Sequence, residues 1–462
     1  MSTLKAGAAR VDISPPLGTQ LAGDIGRLRP VEEIRDPIFA SALVLEKDNR
    51  KFCVLVLDLT ILIKAWVDPI RRGAAERFGI APEAVLVCAT QTHSSVAFGH
   101  AFAELECEQI PHDLRWLLGG DDAYHQIAVE RALDAIEQAN AKLEPVTVGA
   151  ASGIEARIAF NRRFVMRDGT TRTHPPQADP LIRHAEGPID PEVGVVGFRN
   201  AAGEMIATLL HYTCHPNHGY PHLYVSADWP GAWSDGVREL CGDECVPLVI
   251  NGCCGNIHHT NHLDPHHVDD HRRMGQMLTE TTTTILPRIE YNDADVLEWK
   301  VRHIPIPWRK LDPQMLREAH QLLSDHPEPL WTNDERTLVS WEWMYAISLL
   351  DIEKQMQRAP AFDYEIQVLR IGDIALAALP GEPFVEGGLQ IKLESPTYPT
   401  YIAHMANMYG GYIPTAEALR RGGFETRPSN WSKLAPEALG MIVAASGEML
   451  NELFAATPLK IV

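Results

Sequence analysis

No stretch of this chain approaches the roughly 20 consecutive apolar residues that a membrane helix needs. Its first residues also lack the apolar core of an export signal. The expectation is a protein with no membrane insertion and a cytoplasmic location. A basic excess is missing too: 41 Lys and Arg face 61 Asp and Glu, for a formal net charge of −20. That balance argues against nucleic acid or an anionic lipid surface as partner. Paired cysteine motifs are absent. Cys241 and Cys245 have loose metal spacing but no second pair, so no structural zinc is expected there. The remaining cysteines read as free thiols in a reducing compartment. Internal repeats, low-complexity tracts and linkers are also lacking, so one domain is expected over 1–462.

What is present reads as an α/β fold of mixed sheets flanked by helices. Strands are expected over 38–46 and 52–61, with the polar residues 47–50 as a hairpin turn. A helix over 65–78 stops at Gly79, and an apolar strand over 85–88 follows it. Strand, helix and apolar strand in series is the pattern of a sheet covered on both faces. Residues 125–143 place Ala128, Val129, Ala132, Leu133, Ile136 and Ala139 on one stripe of a helix. Residues 161–185 are polar and rich in Arg, Pro and Gly, and read as a long loop. Further helices are expected over 269–286, 312–324, 335–358 and 436–454. Further strands are expected over 205–210, 245–250, 298–306, 364–371 and 374–379.

Chemistry concentrates where strands end. The strand at 205–210 delivers His215 to a loop where Pro216 prevents further pairing. A neutral imidazole on a rigid strand end is a good metal ligand. Thr90, Gln91, Thr92 and His93 follow another strand; strand alternation would point residues 91 and 93 the same way. Glu382 follows Gly381 at a third strand end, and Tyr409 and Tyr412 straddle two glycines. The strand at 245–250 ends in a glycine turn, in which Gly252, Gly255 and Asn256 could hold an oxyanion through backbone N–H groups. His258 follows that turn directly. Beyond it, His262, His266, His267 and His271 lie among aspartates and read as a polar surface turn and helix start.

In this order these pieces resemble the neutral (non-lysosomal) ceramidase family, over nearly the whole chain and its catalytic domain only. The carriers are residues 11–18, 36–45, 90–94, 161–162, 215–216, 226–231, 380–382 and 409–412. The resemblance implies a catalytic zinc held by two His, one Glu and one Tyr. Those positions fall on residue 91, His215, Glu382 and Tyr412. It also implies that His93 stabilises the developing oxyanion and that Arg162 assists. Three departures touch the chemistry: Gln91 stands where the family usually has histidine, His258 where it has serine, and Phe424 where it has tyrosine. A glutamine amide oxygen is a poor zinc ligand beside imidazole, so His93 or His258 is expected to complete the shell.

The resulting expectation is a zinc-dependent amidohydrolase acting on an amide or similar C–N bond of a small polar substrate, not on ceramide itself. The metal, with His215, Glu382, Tyr412 and His93 as ligands, would lower the pKa of a bound water and polarise a carbonyl. His93, Arg162 and His258 are the catalytic candidates; Gln91, Gly252, Gly255 and Asn256 would contact substrate. Arg162, in a loop read as polar, is expected to cost little stability on removal. Two other classes remain: a metal-dependent lyase or isomerase with a His base, and a non-catalytic binding protein.

Overall fold

Phe39–Lys47 and Arg50–Leu57 pair antiparallel around Asp48 and Asn49, whose φ angles are 50° and 62°. Asp and Asn tolerate that left-handed region, and two such residues make a tight turn whose twist matches the strands. The expected hairpin is there. The computed structural model describes residues 3–100 and 110–455. Lys64–Phe78 is helical and ends at Gly79, φ 67°, whose N–H bonds the carbonyls of Ala74 and Ala75. Val85–Ala89 then returns parallel to Arg50–Leu57, as a strand–helix–strand crossover requires.

Eight strands form one mixed sheet. Their spatial order is Val246–Asn251, Met205–Tyr212, Glu192–Asn200, Glu144–Ile154, Lys5–Asp12, Phe39–Lys47, Arg50–Leu57 and Val85–Ala89. Only Lys5 and Ala6 join the two halves, through Pro145 and Glu144. The sheet folds over at that short junction. Val246–Asn251 thereby packs on Lys5–Asp12, Phe39–Lys47, Arg50–Leu57 and Val85–Ala89. Helices cover both outer faces: Lys64–Phe78 and Asp122–Ala141 on one half, Asp228–Cys241 and His271–Ile285 on the other. A second sheet orders Leu297–Pro307, Ala361–Ile371, Ile374–Ala378 and Thr400–Ala403, with the helix Ala438–Phe454 against its first two strands.

Each half of the large sheet ends in a parallel pair, and so does the second sheet, where Ile374–Ala378 runs parallel to Thr400–Ala403. Two crossover helices, Asp228–Cys241 and Val385–Glu394, had no counterpart in the sequence reading. Pro230, Gly231 and Gly236 in one, and Gly387 and Gly388 in the other, mask their helical periodicity.

Two expectations change. Residues 161–185 are not a bare loop: Ile182–Ala185, Arg163–Met166 and Thr171–Thr173 form a three-stranded sheet. Phe164, Val165 and Met166 are buried, and Asp168 closes the turn by accepting from the Thr170 N–H at 2.9 Å. The helix expected from 335 begins only at Trp341. The Asn333 side chain captures the N–H groups of Thr337 and Leu338 at 3.1 and 3.2 Å, a local alternative to helix. No described helix is long and apolar enough to cross a membrane.

Candidate active site

The parallel strands aim their C-terminal ends at one place, the usual crevice of such sheets. His215 follows Met205–Tyr212; Gln91 and His93 follow Val85–Ala89; Cys254 follows Val246–Asn251. Glu382 follows Ile374–Ala378, and His404 follows Thr400–Ala403 directly. Glu382–Pro383 then pairs parallel with Tyr412–Ile413, and the register sets Glu382 beside Tyr412. Gly381, φ 74°, is needed for that pairing, because a Cβ there would lie 2.5 Å from the Gly411 carbonyl oxygen.

At the centre, His215 is fully buried and its Nδ1 lies 2.7 Å from the Cys254 carbonyl oxygen. A carbonyl only accepts, so Nδ1 carries the proton and Nε2 presents a lone pair. That lone pair faces Glu382 Oε2 at 3.2 Å. Neither atom has a hydrogen-bond donor. Burial, and then the nearby Arg162 charge, push the His215 pKa well below its ordinary value, so the ring is neutral. Two buried acceptors facing each other are stable only with a cation between them. Their spacing suits adjacent ligands on a tetrahedral ion held at about 2.0–2.2 Å. The Tyr409 hydroxyl donates to Glu382 Oε1 at 3.1 Å and orients the carboxylate. The donor set of His215, Glu382 and Tyr412 thus fits the divalent ion that the family resemblance implies.

His93 is half-buried, with Nδ1 3.3 Å from the Gly23 carbonyl oxygen, which leaves its Nε2 lone pair free. Its ring lies 5.6 Å from that of His215. Burial and His215 lower its pKa to about 3. His258 has the opposite tautomer: the Thr260 N–H donates to its Nδ1 at 3.2 Å, so Nε2 holds the proton. A protonated nitrogen cannot ligate, so His93 rather than His258 is the ring suited to complete the shell or act as base. Gln91 sits at φ 70°, which breaks the two-residue alternation expected for positions 91 and 93. Its Oε1 accepts the Cys254 thiol at 3.3 Å instead of standing free.

Arg162 is buried, which corrects its reading as a polar-loop residue. Its Nε donates to Glu425 Oε1 at 2.8 Å and its Nη2 to the Gly255 carbonyl at 2.6 Å. Burial opposes both charges, yet Arg162 and Arg163 hold the Glu425 carboxyl down to about 2. The Arg162 guanidinium lies 5.4 Å from the Tyr412 ring. Burial and Glu382 raise the Tyr412 phenol well above its ordinary pKa, and Arg162 opposes them. Phe424 packs edge-on to Tyr412 at 5.9 Å and offers no hydrogen bond.

The glycine turn does not match its expected oxyanion role. The Gly252 N–H bonds the Tyr212 carbonyl at 2.9 Å, and the Gly255 N–H bonds that of Pro383 at 3.1 Å. Asn256 is committed too, accepting from the Val385 N–H at 2.9 Å and donating to Glu386 at 3.0 Å. These groups carry the Glu382 strand rather than a substrate.

Sequence reasoning passed over several residues here. His404 is fully buried, with Nε2 3.5 Å from the Cys254 thiol and Nδ1 without a partner. Burial and His215 lower its pKa to about 3. Its position one residue past a strand end was the available signal. Glu425 and His174 gave none, because each acts through residues far away in sequence; Tyr409 was marked only by the glycine pair it shares with Tyr412. The His174 ring packs 4.4 Å from that of His258.

No protein-family model and no curated protein matches the chain. Solved structures do. Neutral ceramidase from Pseudomonas aeruginosa superposes with a TM-score of 0.72 at 19% identity, covering 99% of this chain and 75% of that one. A ceramidase complexed with C2 gives 0.71 at 18% identity, with 99% and 76% covered. With His215, Glu382 and Tyr412 gathered at the strand ends of such a scaffold, the chain has the fold of neutral ceramidase.

Proposed function

We propose that this chain is a zinc-dependent hydrolase of an amide or similar C–N bond in a small polar substrate. The observation that carries the reading is the pair of donorless buried atoms, His215 Nε2 and Glu382 Oε2, facing each other at 3.2 Å. The neutral ceramidase fold supports hydrolysis as the reaction class. His215, Glu382 and Tyr412 would hold the ion, leaving His93 Nε2 free for proton transfer. When bound, the ion supplies Lewis acidity toward a carbonyl and lowers the pKa of a nearby water.

The chain's own groups do the rest. His93, neutral and anchored through Nδ1, accepts a proton at Nε2 and can pass it to a leaving amine. Arg162, held between Glu425 and the Gly255 carbonyl, places a fixed positive charge where negative charge develops. Phe424 cannot donate, so that stabilisation rests on Arg162 and the ion. His174, His258 and Arg162 give this region a polar lining, which suits a small polar substrate better than a long acyl chain.

The test begins with elemental analysis of the purified full chain, then a panel of N-acylethanolamines from acetyl to hexadecanoyl in 18O-labelled water. The expected result is zinc, cleavage of the short members, and one labelled oxygen in the released acid. The His215→Ala variant should do none of this. Unlabelled elimination or isomerisation products would favour the lyase or isomerase reading, and metal-free inactive protein the binding-protein reading.

A further inference from the structure

Most of the histidine tract forms the surface turn and helix start that its composition suggests, with the helix beginning at His271. His259 and His262 are buried, and His218 joins them from the loop beyond His215. Donor atoms of His218, His259 and Asp269 all lie within 4.8 Å of one another. They come from three segments: the loop after His215, the end of the glycine turn, and the residue before the Asp270 cap of the helix His271–Ile285.

His218 Nδ1 lies 2.7 Å from Asp228 Oδ1, and the His218 backbone N–H donates to Asp228 Oδ2 at 2.8 Å. Nδ1 therefore donates, and Nε2 is left as a lone pair. A carboxylate behind an imidazole in this way is the usual support of a metal-ligating histidine. His259 Nδ1 lies 3.1 Å from Asp269 Oδ1, a spacing that suits two adjacent ligands on one ion. Its Nε2 is buried and has no partner. The two rings stack at 3.6 Å and 17°. Asp269 is braced by the Thr260 hydroxyl at 2.6 Å and by His267 Nε2 at 2.7 Å.

We propose that His218, His259 and Asp269 form a second metal centre, separate from the His215–Glu382 centre, for a borderline divalent ion of the zinc class. Two imidazole nitrogens and one carboxylate oxygen select such an ion over calcium or magnesium, which want oxygen, and over copper(I), which wants sulfur. A cavity of about 550 Å³ lined in part by Asp36, Asp228 and His271 lies beside the cluster. The bound ion ties together three segments behind the active site. One of them ends at Pro216, whose carbonyl accepts the His93 N–H at 2.9 Å.

The test is cobalt(II) titration of the chelator-stripped full chain, read by visible d–d absorption with zinc competition. Wild type should bind about two equivalents, one per centre. His259→Ala and Asp269→Asn should each lose the same one, while His215→Ala loses the other. Asp269→Asn is nearly isosteric at a partly exposed position, so it decides the matter if His259→Ala fails to fold. One equivalent lost in Asp269→Asn but kept in His215→Ala would support this centre and sink the first. The proposal is overturned if Asp269→Asn and any folded His259→Ala keep the wild-type stoichiometry and spectrum, or if wild type binds only an equivalent that His215→Ala removes.

Discussion

His215 and His218 sit on one short loop, yet their imidazoles are supported in opposite ways. His215 leans on a backbone carbonyl and lies near the buried guanidinium of Arg162. His218 leans on the Asp228 carboxylate. A carboxylate behind an imidazole raises its basicity and tightens the hold on an ion. A carbonyl does less, and a nearby cation opposes the ion outright. On the two proposals above, the first cluster would keep an ion electrophilic and the second would keep it in place, according to the charge behind the far nitrogen of the histidine.

The hardest test of that contrast is His215→Ala. Activity should fall to background and the carbonyl-supported centre should empty, while cobalt(II) absorption from the His218 cluster persists. Loss of both spectra together would merge the two clusters into one unit.

Arg162→Ala comes next, and its effect is on stability first. It leaves Glu425 buried with Arg163 and Thr173 as its remaining partners. Removing one member of a buried ion pair costs about 3–5 kcal/mol. Denaturant unfolding should show that loss, with Arg162→Lys recovering part of it. A melting temperature equal to wild type would return Arg162 to a purely substrate-facing role.

Imidazoles outside both clusters supply a control. Burial lowers the pKa of His125 to about 4 and that of His211 to about 3. Both rings are neutral in the fold but take up a proton in the unfolded chain near pH 6.5. The unfolded state therefore binds more protons as pH falls, and stability declines from about pH 6.5 toward those lower values. In full, the loss amounts to about 3 kcal/mol for His125 and about 5 kcal/mol for His211. The decline should appear equally in chelated and metal-loaded protein, and His211→Phe should make it shallower. An acid slope seen only with metal present would assign it to the clusters instead.

The smallest expected effect is that of Tyr409→Phe. It removes the hydroxyl that orients Glu382 and should weaken metal binding at the His215 centre about 10–100-fold. The His218 centre should not respond. Equal weakening at both would show that the centres are coupled.

Local order could be read directly from the chain. The hairpin around Asp48 and Asn49, the helix ending at Gly79 and the strand delivering His215 all follow from nearest-neighbour rules of apolar period and turn chemistry. So did the placing of His215 and Glu382 at strand ends, because proline and glycine mark where a strand must stop; Tyr412 was singled out by the family resemblance. Such signals act over a few residues and survive without a fold.

Tertiary structure decided the rest. Arg162 looked solvated because its partner, Glu425, lies 263 residues along the chain. Gly252 and Gly255 looked free to bind an oxyanion until their N–H groups met the carbonyls of Tyr212 and Pro383. His93 and His258 are equivalent as letters; the Gly23 carbonyl and the Thr260 N–H gave them opposite tautomers. His404, His218 and His259 carried no motif, and only parallel strands from two sheets brought their loops to the centre. Burial, protonation and hydrogen-bond commitment belong to pairs of groups distant in sequence, so no single stretch of the chain contains them.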